Sequence, residues 1–228
     1  MNRKERAREI LQRLQRRYPD ASGQLSWKNP WELLVATVLA AQCTDRRVNM
    51  VTPELFRRWP TPQALARAEQ SEVEEVIRST GFFRNKAKNL IAAARTVERD
   101  FDGEVPSGMQ ELLTLPGVAR KTANIVLSHG FGVQEGIAVD THVRRLAYRM
   151  GLTQSKNPST IEKDLQGLFD RESWGRINHL LVWFGREVCR ARGPLCRRCE
   201  LADICPRVGV DSPGSGGSRS SSAMVKGG

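Results

Sequence analysis

The chain contains 228 residues, with 36 lysines and arginines against 25 aspartates and glutamates, so its formal net charge is +11 and its sequence pI is about 10.0. This excess favours a polyanionic partner, with nucleic acid as the first candidate, although a basic protein can also be simply well solvated. No run of about 18 apolar residues occurs, which excludes a membrane-spanning helix by sequence. No signal peptide is recognisable, which predicts a reducing, cytoplasmic location.

Helix signals recur along the chain, whereas alternation of period two is sustained nowhere, so the sequence predicts an all-α fold. The arginine-rich segment 1–17 has apolar residues at helical spacing and is interpreted as an amphipathic helix rather than a presequence. Asn29 and Pro30 open a helix through about Gln42 that is apolar nearly all round and is expected to be central. Further helix starts are predicted at Thr52-Pro53 and Thr61-Pro62, where a capping residue precedes a proline. Capping boxes predict two more starts, at Ser71 to Glu74 and at Ser159 to Glu162. Helix ends are predicted at Gly81 and Gly103.

The segment from Leu115 to Ala123 has the pattern of a helical hairpin. A helix over about 109–114 is predicted to end where Pro116 and Gly117 force a tight turn, and a second helix runs over about 118–129. Backbone N–H groups at the start of that second helix would suit a phosphate. A plain turn between two helices explains the same residues equally well.

Lys121 lies in the first turn of the second hairpin helix, on a polar stripe with Asn124 and Ser128. The helix dipole and the neighbouring Arg120 would favour a neutral amine there, as a nucleophile requires, while a solvated lysine is the alternative. The packed side of the same helix is predicted to contain Val118, Ala119, Ala123, Val126 and Leu127.

The stretch Val139-Asp140-Thr141-His142 precedes apolar residues at helical spacing (Val143, Leu146, Ala147 and Met150). Asp140 or Thr141 is therefore predicted to be the N-cap of a helix, and capping alone would explain the aspartate. A catalytic role for Asp140 requires that it face Lys121 across a cleft. His142 is, by position alone, more typical of a structural residue.

Four cysteines, Cys189, Cys196, Cys199 and Cys205, lie within seventeen residues in the pattern C-x6-C-x2-C-x5-C. Four thiolates so close in sequence suit a [4Fe–4S] cluster or a structural zinc ion, and the spacing favours iron–sulfur. Disulfides are disfavoured in a reducing compartment. A fifth cysteine, Cys43, is expected to be a small buried hydrophobe. From about residue 208 to 228 the composition predicts a disordered tail.

Together these segments resemble the endonuclease III family of base-excision DNA glycosylases, in the helix-hairpin-helix superfamily. The resemblance rests on the hairpin 115–123, the Val139–His142 motif and the cysteine spacing, and on segments 41–45 and 81–87. It implies two helical domains on either side of a DNA-binding cleft. A six-helix barrel with the hairpin would span 24–136, and an iron–sulfur domain would join 1–23 to 137–207.

The resemblance also implies an activity and roles for individual residues. The protein would be a monomeric, bifunctional glycosylase and AP lyase that removes oxidised pyrimidines from double-stranded DNA with a damaged base or an abasic site. Lys121 would form a Schiff base, with Asp140 as its acidic partner. A structural [4Fe–4S] cluster would be bound by the four cysteines. DNA contacts are implied for Phe82 as a wedge, Gln42 as a filler, the hairpin residues Pro116, Gly117, Val118 and Ala119, His142, and the loop arginines Arg190, Arg192, Arg197 and Arg198.

Two departures from the family pattern bear on these expectations. Ala119 stands where the family often has a second glycine, so the hairpin turn is expected to differ slightly. Val38 stands where adenine-removing relatives have a glutamate, which favours pyrimidine substrates. A monofunctional glycosylase and a non-catalytic damage-binding protein of the same fold are the alternatives.

Overall fold

A computed structural model describes residues 1–210, and in that part of the chain every regular element is helical, which confirms the all-α prediction. The α-helices are α1 (Arg3–Arg17), α2 (Pro30–Leu39), α3 (Asp45–Arg58), α4 (Pro62–Ala66), α5 (Gln70–Ile77), α6 (Phe83–Asp100), α7 (Met109–Leu112), α8 (Arg120–Ile125), α9 (Thr141–Arg149), α10 (Pro158–Gln166) and α11 (Trp174–Glu187). Single 3-10 turns occur at Arg78–Thr80, Arg171–Ser173 and Cys196–Arg198, and one π turn at Val126–Gly130 follows α8.

Several helix starts are capped as the sequence predicts. Asn29 Oδ1 accepts from Glu32 N at 2.9 Å, and Thr61 Oγ1 accepts from Ala64 N at 3.2 Å. Asp140 Oδ1 accepts from Val143 N at 2.8 Å and so begins α9. Each bond satisfies an N–H group that the helix itself leaves free.

Three predicted helix starts are wrong. Pro53 lies inside α3, because Thr44 already caps that helix eight positions before Thr52. The predicted capping box from Ser71 to Glu74 does not form, because α5 already begins at Gln70 and its N-cap residue makes no side-chain bond. The box from Ser159 to Glu162 is replaced by an Asn157 cap whose side chain accepts from Ser159 N and Thr160 N.

The hydrophobic core consists of two clusters of buried side chains. One contains residues from α2 to the π turn after α8, from Trp31 to Leu127. The other joins Ala7, Ile10 and Leu14 of α1 to residues between Ile137 and Leu201. The N-terminal helix therefore packs with the C-terminal part of the chain. This partition is compatible with domains of 24–136 and of 1–23 with 137–207, whose boundaries stay a prediction.

The chain remains tied to the second cluster at the last described residues. Val208 N donates to Arg149 O at 3.0 Å. The first residue of the predicted tail, 208–228, is therefore bonded to α9 and is not part of a free segment. The rest of that prediction, from 211 onward, lies outside the described residues. None of the helices in 1–210 is both long enough and apolar enough to span a membrane.

Candidate active site

The hairpin before Lys121 is a tight turn anchored by two buried side chains, Leu115 and Val118. Gly117 has φ +80°, and a Cβ atom there would lie 3.0 Å from Cβ of Asn89, so the turn requires glycine at this position. Ala119 has φ −96° and ψ 167°, an extended conformation open to any residue. The backbone at Ala119 is therefore unstrained, because the left-handed position of the turn is at 117.

The second hairpin helix differs from its predicted helical wheel. Ala119 is exposed because it is the N-cap of α8 and lies outside the helix. Asn124 is buried rather than polar-facing, because its Nδ2 donates to Glu162 Oε1 at 2.9 Å from α10. Arg120 pairs with the same carboxylate, with Nε 2.7 Å from Oε2. The charge that was expected to act on Lys121 is thus paired with a residue of α10.

Lys121 and Asp140 open onto one cavity of about 810 Å³. Lys121 is exposed in the first turn of α8, and Asp140 is the N-cap of α9. The cavity lining includes Leu33 of the first hydrophobic cluster and Val139, which packs against the second. The cleft that a catalytic Asp140 requires is therefore present in the fold. Among the other predicted site residues, Gln42, Gly117, Ala119 and His142 also line it.

Gln42 and Phe82 occupy the tips of two turns with unusual backbone geometry. Both are exposed and have left-handed conformations, with φ of 54° and 48°. Phe82 is 66% exposed, which is rare for a side chain of this size. Non-glycine residues in this region cost roughly 1–2 kcal/mol each. The fold thus maintains two strained turns that present one amide and one aromatic ring to solvent.

The remaining predicted DNA contacts lie in different environments. Val118 buries its side chain and donates its N–H to Leu115 O at 3.0 Å, which leaves no free donor there for a phosphate. Pro116 is half-buried beside it. His142 is half-buried, with Nδ1 3.2 Å from Nη2 of Arg145, and burial lowers the pKa of its imidazole.

The four cysteines line a second, small cavity together with apolar side chains (Met150, Phe184, Val188 and Leu201). All four are free thiols. Arg149 Nη1 donates to Cys189 Sγ at 3.6 Å, and Leu201 N donates to Cys199 Sγ at 3.4 Å. Such bonds stabilise thiolates.

Burial, in contrast, disfavours the thiolate forms of two of these cysteines. It raises the pKa of the Cys199 thiol to about 11 and also raises the pKa of Cys205. A bound cationic centre would favour the thiolate forms of both residues. A four-thiol pocket with N–H donors fits such a centre. Within residues 1–210 no three His, Cys, Asp or Glu side chains are grouped to hold a single metal ion.

The loop arginines lie apart from the Lys121 cavity. They are all exposed, on the segment between α11 and the 3-10 turn of Cys196–Arg198 and on that turn itself: Arg190, Arg192, Arg197 and Arg198. Arg149 donates to the carbonyl of Arg190 at 2.6 Å and to that of Ala191 at 3.0 Å. The backbone of this basic loop is thus fastened to α9, the helix that Asp140 begins.

Comparison with known proteins gives a consistent result. Residues 35–171 match the family described as HhH-GPD superfamily base excision DNA repair protein. The sequence is 55% identical over 205 residues to Endonuclease III of Synechocystis sp., covering 90% of this chain and 94% of the relative. The chain belongs to the endonuclease III family.

Other members of the endonuclease III family match over similar lengths. Endonuclease III of Bacillus subtilis is 43% identical over 189 residues, covering 82% of this chain and 86% of the relative. A solved structure described as a trapped Endonuclease III–DNA covalent intermediate superposes with a TM-score of 0.86 at 41% identity, covering 91% of this chain and 97% of that chain. A thermostable thymine-DNA glycosylase superposes with a TM-score of 0.80, over 89% of this chain and 96% of that one. At 21% identity that likeness shows the fold alone.

Two features of the cavity surroundings were not anticipated from the sequence. His129 and His179 line the cavity and contact one another, and Glu162 joins α10 to Arg120 and Asn124 of α8. The partners in each case are 38 or more positions apart in sequence. No local spacing signal could have identified them.

Proposed function

We propose that this protein is a bifunctional base-excision repair enzyme, a DNA glycosylase and AP lyase acting on double-stranded DNA with a damaged base or an abasic site. The observation that carries this proposal is the shared cavity of Lys121 and Asp140, in a chain of the endonuclease III family. A relative at 41% identity is described as trapped in covalent linkage with DNA. Oxidised pyrimidines are the proposed substrates, because this chain has Val38 at the position where adenine-removing relatives have a glutamate.

The first step is extrusion of the damaged nucleotide, because its sugar C1′ cannot be reached inside the stack. The cavity of about 810 Å³ lies in the range of ordinary ligand pockets and suits an extruded nucleotide. Phe82 enters the vacated space as an apolar wedge, and Gln42 fills the gap from the opposite side, next to the base that has lost its partner. Their exposed positions on left-handed turns support these roles.

The chemical steps belong to Lys121 and Asp140. The lone pair of Lys121 Nζ forms a bond to C1′ as the glycosidic bond breaks, and that bonding pair leaves with the base, which takes up a proton. Asp140 stabilises the positive charge that develops on the sugar and accepts a proton from the amine. The nitrogen lone pair then forms a double bond to C1′ as the C1′–O4′ bond breaks; O4′ keeps that bonding pair and takes up a proton, and the product is an iminium ion, the Schiff base.

The lyase step follows from the acidity that the iminium ion confers on C2′. Loss of a C2′ proton leaves an electron pair that forms a C2′–C3′ double bond and expels the 3′ phosphate. Hydrolysis of the imine by water then frees Lys121 and leaves an unsaturated aldehyde on the nicked strand. Both steps use the one amine, so the enzyme is bifunctional.

The phosphate backbone is proposed to contact the hairpin around Pro116–Ala119, His142 and the four loop arginines. Contacts of this kind fix the register of the duplex and read no sequence. The N–H group of Val118 already donates to Leu115 O, so at this residue a phosphate would have to contact the backbone of neighbouring residues.

The cysteine cavity is proposed to hold a [4Fe–4S] cluster on Cys189, Cys196, Cys199 and Cys205. This assignment is supported by four free thiols on one cavity and by membership of the endonuclease III family. A cluster that binds each thiolate to a different iron atom does not require three ligands gathered around one ion. Bound there, it would cross-link the basic loop to α11. We further propose the domain division 24–136 and 1–23 with 137–207, a monomer, and a cytoplasmic location.

The test is covalent trapping. Purified, brown protein is mixed with duplexes that each contain a single oxidised pyrimidine or an abasic site, and borohydride is added to reduce the imine. We expect an adduct with the wild type, none with Lys121→Ala, and a wild-type yield with the control Lys88→Ala, an exposed lysine of α6. Base release without an adduct would support the monofunctional alternative. Neither product from cluster-loaded protein would support a non-catalytic damage-binding protein.

A further inference from the structure

Lys86 is a buried lysine in α6 that the chemistry above does not use. It is 5% exposed, and burial lowers the pKa of its amine. Its Nζ atom donates to Leu39 O at 2.8 Å and to Thr80 O at 2.8 Å. Lysine is almost never this buried without a charged partner, and both partners here are uncharged carbonyl groups.

The two carbonyl groups belong to the ends of two elements that precede the left-handed turns. Leu39 is the last residue of α2, three positions before Gln42. Thr80 ends the 3-10 turn of Arg78–Thr80, two positions before Phe82. An ammonium group is well placed at such positions, because terminal carbonyl groups of helices lack intrahelical partners and carry partial negative charge. One side chain thus links two turns that are 40 positions apart in sequence.

We propose that Lys86 is a positioning residue that fixes the Gln42 turn and the Phe82 turn relative to one another. The two tip side chains would then enter the duplex together, on either side of the gap left by the extruded nucleotide. The inference rests on the proposed function, because it assumes that Gln42 and Phe82 contact DNA. Lys86 is not among the residues that line the Lys121 cavity, so it acts through the two turns and not on the reacting atoms.

The expected loss of rate on replacing Lys86 follows from the geometry of the gap in the duplex. Successive bases of a strand are about 3.4 Å apart, so the turns must be aligned to a fraction of that distance. Displacements of about 1 Å at a distance from the chemistry can reduce rates by a factor on the order of 100. Replacing Lys86 by methionine keeps a similar volume and removes the link, while two carbonyl groups lose their donor.

The experiment compares Lys86→Met with Lys88→Met, which removes the same charge from an exposed position of α6. Single-turnover base release is measured on a duplex with one oxidised pyrimidine, and borohydride trapping on single-stranded abasic DNA. The single strand has no gap to fill, so trapping there reports the chemistry of Lys121 and Asp140 without the two turns. We expect Lys86→Met to release the base from the duplex about tenfold or more slowly, with trapping within about twofold of wild type. Lys88→Met is expected to match the wild type in both assays.

A double-mutant cycle identifies the route of the effect. In a Phe82→Ala background the wedge is already absent, so adding Lys86→Met should slow base release by less than about twofold. Independent, multiplicative losses would overturn the proposal, as would an equal loss in single-strand trapping or a wild-type duplex rate. If Lys86→Met does not fold, Lys86→Gln, which can donate to one of the two carbonyls, replaces it, and a wild-type duplex rate in that folded variant also overturns the proposal. Failure of wild-type protein to form any adduct would instead refute the proposed function.

Discussion

Nε2 of His129 lies 2.8 Å from Nε2 of His179, and the two imidazole rings pack with their centroids 4.5 Å apart. His129 belongs to the π turn after α8 and His179 to α11, so the pair connects elements of the two hydrophobic clusters. One ring donates and the other accepts, which is satisfied by two neutral rings. The link between the two parts of the fold therefore depends on protonation.

This pair predicts a loss of stability in mild acid. Burial lowers the pKa of His179 to about 4 and also lowers the pKa of His129, so the folded state favours both neutral rings. The unfolded state binds protons first, near the ordinary pKa of about 6.5, so stability is full above that pH and falls from there toward pH 4. For His179 this depression corresponds to a loss of about 2 kcal/mol between pH 7.5 and pH 5.

Urea unfolding at the two pH values measures this loss. Burial also lowers the pKa of His142, so the informative quantity is the difference between the wild type and His179→Gln. The variant should lose about 2 kcal/mol less than the wild type over this range. Equal losses in the two proteins would show that the pair does not couple folding to protonation.

The helix cap that Asp140 forms and its proposed catalytic role can be separated by substitution. Asp140→Asn keeps an oxygen that can accept from Val143 N, so the helix cap survives and the free energy of unfolding should change by less than about 0.5 kcal/mol. The carboxylate charge is lost, and single-turnover base release should fall by a factor of about 100 or more. Asp140→Ala should show the same catalytic loss plus about 1 kcal/mol of destabilisation. An Asn variant with near wild-type excision would reduce Asp140 to a helix cap.

The loop arginines should determine how strongly DNA binding depends on salt. Each phosphate contact contributes about 0.9 to the slope of log K against log salt concentration, so Arg197→Gln with Arg198→Gln should flatten it by about 2. The control replaces Arg57 and Arg99, exposed arginines that already pair with Glu54 and Asp100. Fluorescence anisotropy with an abasic-site duplex measures the slope. If the control flattens the slope equally, the loop arginines contribute only to the overall positive charge and make no specific phosphate contacts.

What could be read from the sequence depends on how far apart the interacting residues lie along the chain. The caps at Asn29 and Asp140 involve partners three positions away, so local spacing predicts them. The start at Thr52-Pro53 was misjudged because an equally good cap, Thr44, precedes it. Distance in sequence explains the remaining failures. The histidine pair and the contacts of Lys86 with Leu39 and of Asn124 with Glu162 join residues 38 to 50 positions apart, and only the folded chain brings them together.

The hairpin turn offers a matched pair of substitutions at neighbouring positions. Gly117→Ala places a Cβ atom 3.0 Å from Cβ of Asn89 at φ +80°, which should destabilise the protein by about 1–2 kcal/mol or more and weaken binding to an abasic-site duplex. Ala119→Gly restores the residue that the family often has, but φ at 119 is already −96°, so no strain is relieved.

We therefore expect Ala119→Gly to leave DNA affinity within about twofold of wild type and to lower stability by about 0.4–1 kcal/mol, through the greater freedom of the unfolded chain. Urea unfolding and anisotropy measure both quantities. Tighter DNA binding by Ala119→Gly would mean that the bound hairpin adopts a left-handed conformation at 119, in which case alanine at this position limits phosphate binding after all.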